Sequence, residues 1–208
     1  MSAAALQIPG VWRASEAPLA GAVVSTRNAA LDQALGGGWP QGALTQIVSG
    51  TPGLGFSLLL PALAALTAAG RPVALIDPPY LPYAPALAER GMVLEQLFWL
   101  QVTEPAEALW AAEQVLRSGL FGALVYWGGP LDGSRERRLQ LAADDAQCLA
   151  FCFHAGAVKG HSHAALRLAV TARADAQLQV TVLKRRGGRH GHSLLYRSAD
   201  APADRRAA

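Results

Sequence analysis

A chain of 208 residues is long enough to bury a core of its own and suits one domain. Hydrophobic residues make up 51% of it and charged residues only 16%, which excludes an intrinsically disordered chain. The net charge of +3 is unevenly placed: residues 184–208 hold seven Lys/Arg against two Asp, a basic end on a slightly acidic body. Such a handle suits nucleic acid or an acidic partner, and equally a solvated hairpin and tail.

In chain order, residues 1–22 form an N-terminal segment without the basic start and long apolar run of a secretory signal, which implies a cytoplasmic protein. Trp12 stands out there as an aromatic able to anchor the segment onto a surface. STRNAALDQAL predicts a helix with a Ser/Thr cap and apolar residues at helical spacing, and GGGWPQG ends it. ALTQIVSG predicts a strand and residues 57–69 a helix, in which Pro61 is tolerable because it falls near the first turn. The apolar run 54–69 is too short to span a membrane, so no membrane contact is expected.

RPVALID reads as a buried strand, PPYLPYAPALAERG as a proline-rich loop entering a short helix, and LFWLQV as a strand. PAEALWAAEQVLRSG is the clearest helix and closes on a glycine; FGALVYW, SRERRLQLAADDAQ and CLAFCFH follow as strand, helix and strand. The alternation predicts an α/β fold, a mostly parallel central sheet flanked by helices. Beyond His154, HAALRLAVTARA, QLQVTVLKRR and HSLLYRS are strand-like and GGRHG looks like a hairpin turn, so the sheet finishes with antiparallel C-terminal strands. Residues 199–208 form a flexible Ala/Asp/Pro-rich tail.

Trp39, Trp99, Trp110 and Trp127 fall in predicted core elements or their edges and read as structural, and Cys148 and Cys152 read as buried free thiols. His161 with His163, and His190 with His192, have the spacing for two ligands on one strand face. No Cys or carboxylate cluster completes a tetrahedral set, so no metal is expected. The helix bearing Arg135, Arg137 and Arg138 also carries Glu136, Asp144 and Asp145 and reads as an ordinary exposed face. VLKRRGGRHGHSLLYR collects Lys184, Arg185, Arg186, Arg189 and Arg197 with Tyr196. Such a basic hairpin suits a phosphate backbone with one aromatic stacking surface, or a partner protein.

In SGTPGLGFS, Gly50, Gly55 and Ser57 fit the phosphate-binding loop G-x-x-x-x-G-K-[ST], whose backbone N–H groups and lysine grip phosphates. Phe56 stands where the lysine belongs. Ser57 also suits a helix N-cap, and Asp77 a strand end before a proline turn.

The stretch STRNAALDQALGGGWPQGALTQIVSGTPGLGFS resembles the opening of the RecA-like core in residue type and spacing: a helix with L-D-x-A-L, a glycine-rich turn ending in P-x-G, a strand and the phosphate loop. The resemblance continues through VALID, AERGM, EALWAAEQVLRSG, GALVYW and VTVLKRR, and covers residues 23–198 as one RecA-like domain. VWRASE and VLKRRGGR look like the ImuA family, RecA-like proteins associated with mutagenic translesion DNA synthesis and often placed near the division inhibitor SulA. The resemblance implies a non-catalytic adaptor in damage-induced, error-prone synthesis. Implied partners are an ImuB-like inactive Y-family polymerase homologue, an error-prone replicative-type polymerase and RecA, with single-stranded DNA as a further candidate. The alternative is a SulA-type inhibitor that binds a tubulin-like division protein.

The same resemblance locates three further departures. The aspartate that helps hold Mg²⁺ in RecA-like ATPases falls at Trp127, which has no acceptor for a metal-bound water. The glutamate that orients the attacking water falls at Pro79, and a nucleotide-sensing glutamine falls at His154. With Phe56 in place of the lysine, neither ATP hydrolysis nor a cofactor is expected.

Overall fold

The computed structural model describes residues 21–129, 131–156, 162–188 and 191–197. Two short strands, β1 (Val23–Val24) and β2 (Trp39–Pro40), pair antiparallel around α1 (Ala29–Leu35). The cap of α1 is Asn28, whose side chain accepts from the Leu31 N–H, rather than the expected Ser or Thr. Ser25 and Thr26 serve the same end differently, both donating to the Asp32 carboxylate, from a hydroxyl and a backbone N–H at 2.7 Å each. Gly36 closes the helix at φ 84°, a left-handed C-cap that any other residue adopts at a cost.

From β3 (Ala43–Ser49) the chain enters a 3-10 turn, Phe56–Leu58, and then α2 (Leu60–Ala68), where Pro61 sits in the first turn. Next come β4 (Val73–Ile76), α3 (Ala84–Glu89), β5 (Leu97–Leu100), α4 (Pro105–Arg117), β6 (Ala123–Tyr126), α5 (Gly133–Ala146) and β7 (Leu149–Ala155). The chain ends in β8 (Leu166–Ala172), β9 (Gln177–Arg185) and β10 (Ser193–Arg197). Eight strands form one sheet in the order β10-β9-β8-β3-β7-β6-β4-β5. Every pairing from β8 across to β5 is parallel, and the antiparallel finish lies in the β8–β9 and β9–β10 pairs.

Side chains alternate across this sheet and divide the core in two. Ile47, Leu75, Val125, Phe151 and Leu168 pack with α1, α2 and α3, while Leu44, Ile76, Leu124, Tyr126 and Cys152 pack with α4 and α5. α4 and α5 are also clamped by Arg138, which donates to the buried Glu113 carboxylate at 2.6 Å. At β8–β10 the sheet keeps helical cover on one face only. The other face shows Leu195 and Leu183 to solvent, with a Thr181–Ser193 hydroxyl contact between strands.

Two of the four tryptophans depart from the structural role expected of them. Trp39 is fully buried and Trp127 half-buried, but Trp99 is 43% and Trp110 64% exposed. Trp99 lies on an outermost strand and Trp110 on the outer side of α4, positions fixed by packing order rather than by local pattern. Cys148 and Cys152 are free and buried. Burial pushes the Cys148 thiol up to about 12 and Cys152 higher still, so both are held as unreactive thiols. Among the described residues, no helix is long and apolar enough to cross a membrane.

Trp39 meets Phe151 edge to face at 5.2 Å in the middle of the first core half. Trp39→Ala is expected to cost about 3–5 kcal/mol, read as a lowered urea midpoint with an unchanged slope.

Candidate functional site

The strand-to-helix turn after β3 folds in on itself. The Thr51 N–H donates to the Ser49 hydroxyl at 3.1 Å, Leu54 N–H to the Thr51 carbonyl at 3.2 Å, and Phe56 N–H to the Gly53 carbonyl at 3.1 Å. Pro52 has no N–H to give. The N–H groups of Thr51, Leu54 and Phe56 are thus spent closing turns rather than aimed at an anion. Gly55 is required for a different reason: a Cβ there lies 3.2 Å from Ile47 and 3.3 Å from Val170, so the turn presses onto the core. Ser57 falls inside the 3-10 turn, and the α2 N-cap is Leu59, which makes no side-chain cap bond; the expected capping role of Ser57 is not found.

The structure brings Phe56, Trp127 and Pro79 to one place. Phe56 meets Trp127 edge to face at 5.5 Å, and Trp127 stacks on Phe153 of β7 at 4.9 Å with 15° between ring planes. Trp127 follows β6, its backbone N–H bonded to the Ile76 carbonyl at 3.0 Å, while its indole N–H is buried with no partner among the described residues. Asp77, at φ 50°, accepts from the Val102 N–H at 2.9 Å and donates its own N–H to the Leu100 carbonyl, so its carboxylate locks β4 to the segment after β5.

Pro79 and the residues after it complete a groove of about 320 Å³ lined by Phe56, Ser57, Leu75, Tyr80, Tyr83 and Trp127 among others. Arg90 is the one charged residue on its described wall. Tyr80, Leu81 and Tyr83 are 66%, 73% and 70% exposed, a concentration of apolar surface on three neighbouring residues held among prolines. These side chains do not fit a magnesium nucleotide: aromatic rings and proline occupy positions where phosphate charge needs a cation and the metal shell needs carboxylates. The chemistry they offer is burial of apolar and aromatic groups.

The basic hairpin is divided rather than presented as one face. In the register across β3, β8 and β9, Gln46, Arg167 and Lys184 are neighbours in a row. Arg167 donates to the Gln46 side-chain carbonyl at 2.7 Å, and Lys184 donates to the Ser162 carbonyl. Glu136 completes this polar row by accepting from the Ala164 N–H at 2.7 Å and from the Ser162 hydroxyl. It is 3% exposed, which corrects its assignment to an exposed helix face: the fold directs it at the sheet, where backbone and hydroxyl donors satisfy it.

Lys184, desolvated in this row, has its pKa pulled below the usual lysine value. Arg185 lies with its guanidinium against Gly36 and Gly188, at the C-terminal end of α1 where a cation is favoured. Tyr196 is buried in the core and gives no stacking surface, because it alternates with the exposed Leu195 and Arg197. Arg186 and Arg197 are exposed; Arg189 lies outside the described residues, as do Trp12, His161 and His190. No group of three metal-ligating side chains is present among the described residues.

His154 is buried, its Nε2 without a hydrogen-bond partner among the described residues. Burial lowers its pKa, against the opposing charge of Glu136 and with the help of Arg167. The signal that sequence reasoning passed over is PPYLPY: prolines interleaved with large apolar residues directly after a buried strand mark a rigid, exposed apolar loop. No family model matches the chain, and no curated protein matches it.

Two outcomes follow. His154 favours its neutral form when folded, so its contribution is present above about pH 6.5 and lost as pH falls through that value toward the lower folded pKa. The melting temperature should therefore fall between pH 7 and about 5.5, and less so in His154→Gln. Phe56→Lys should cost about 1–3 kcal/mol by urea denaturation, through the lost ring contact and a cation set against apolar walls, without conferring ATP binding in equilibrium dialysis.

Proposed function

We propose that this protein is a non-catalytic RecA-like accessory protein of damage-induced, error-prone translesion synthesis, working as an adaptor through contacts with protein partners. The observation that carries the reading is the convergence of Phe56, Trp127 and Pro79. The three positions where a RecA-like ATPase needs charge instead line a single apolar groove with Tyr80 and Tyr83. Without three charged groups that each stabilise a transition state by several kcal/mol, useful hydrolysis is not expected. Burial of aromatic anchors in a partner's surface is the work such a groove suits.

The groove, rather than the hairpin, is the contact we assign to the polymerase partners, because Lys184 is hydrogen-bonded within the fold and Arg185 lies packed against Gly36 and Gly188. An ImuB-like polymerase homologue, an error-prone replicative-type polymerase and RecA are the partners that the sequence resemblance supports.

In a strain lacking the protein, damage-induced mutation frequency should drop, and Leu81→Glu together with Tyr83→Glu should reproduce that drop while leaving the purified protein folded. Arg186→Ala with Arg197→Ala should leave mutation frequency unchanged; a loss there would return the function to the hairpin. Cell filamentation on expression would support a division inhibitor instead, and DNA-stimulated phosphate release abolished by Ser57→Ala would establish an ATPase.

A further inference from the structure

We propose that the chain self-associates through β5, two copies pairing this edge strand antiparallel about a two-fold axis perpendicular to the sheet. β5 is the outermost strand on its side and has β4 as its ladder partner. Edge strands in monomeric proteins are blunted by shortness, charged side chains, proline or bulges, and of these β5 has only its length of four residues. Leu97-Phe98-Trp99-Leu100 contains no charge and no proline, and its ladder with β4 runs without a register shift. The opposite edge, β10, carries Arg197 and Ser193.

Both faces of the sheet remain apolar at this margin. Phe98 is 46% and Trp99 43% exposed although they point to opposite faces. Phe98 meets Phe121 edge to face at 5.6 Å, and Trp99 is in register with Leu75, a residue of the groove wall. A partner strand laid along β5 therefore covers apolar side chains above and below while offering partners to the outward-facing backbone groups of the edge.

The sequence itself selects a second copy as the occupant. A two-fold axis perpendicular to the sheet keeps each face continuous, so residues opposite one another must lie on the same face. This leaves two central registers, Phe98 opposite Phe98 or Trp99 opposite Trp99. In the first, Leu97 meets Trp99 and Glu95 meets Gln101; in the second, Phe98 meets Leu100 and Glu95 meets Thr103. Each register gives aromatic and aliphatic cross-strand pairs and sets no like charges opposite each other, so the strand is complementary to itself.

The test is sedimentation equilibrium of the full chain over a concentration series, with Phe98→Lys and Trp99→Lys alongside and circular dichroism to check their folding. The wild type should reach a dimer, and either lysine should weaken association by roughly thirty-fold or more. Oxidation of Phe98→Cys and of Trp99→Cys gives a readout that does not depend on the lysine variants folding. Facing Cα atoms in an antiparallel ladder lie about 4.5 or 5.5 Å apart, within disulfide reach, so one of the two should form a covalent dimer. Cys148 and Cys152 are buried and should not compete. Leu195→Cys on β10 should stay monomeric. A wild-type chain that remains monomeric overturns the proposal, including one that instead takes up an extended segment of another protein along β5. A dimer untouched by the lysines and uncrosslinked at both positions overturns it as well.

Discussion

The contact between Phe56 and Trp127, extended by the stack of Trp127 on Phe153, is the constraint around which the candidate site is organised. It ties the turn after β3, the end of β6 and the end of β7 into one apolar unit. An ion-binding site at the same place needs the opposite design, with open donors and desolvated charges balanced by a ligand. The turn closes on itself through its own backbone hydrogen bonds, and the loop after β4 sets prolines and aromatics where such a site needs polar ligands.

The polar row at β3, β8 and β9 shows the same logic with the signs reversed. Glu136 of α5, Gln46, Arg167 and Lys184 are brought together at the margin of the second core half, and each is given partners by its neighbours. Charges drawn into a fold are tolerable when they are hydrogen-bonded, and removing one member strands the others. These basic residues therefore serve the architecture of the C-terminal strands before they serve any ligand. Of the hairpin's charges among the described residues, Arg186 and Arg197 are exposed and Lys184 and Arg185 only partly so.

What was legible in the sequence follows from the range of the physical signal. Strands and helices were readable because burial on one or two faces imposes period 2 or 3.6, and the parallel sheet followed from their alternation. Gly55 was readable because a turn pressed onto a core demands glycine there, whereas a Cβ at Gly50 meets nothing. Side-chain direction at the C-terminal strands was not readable. A register irregularity at Arg167 and Leu168 shifts the β8–β9 pairing, so alternation alone does not say which face Lys184 takes. The inward turn of Glu136 depends on Ser162 and Ala164, some 26 and 28 residues away, and the exposure of Trp99 depends on β5 ending the sheet. Contacts of that sequence separation leave no local mark.

The uneven cover of the sheet has a consequence for local stability. β3 lies between β7 and β8 under helices on both sides, whereas β9 and β10 rest on one helical layer with their other face in water. Opening the outer strands exposes less apolar surface than opening β3 does, so the fold is graded, with its most protected amides at the centre and its most easily released ones at the C-terminal margin. Local opening is therefore cheapest at the strands and hairpin that carry the exposed Arg186 and Arg197.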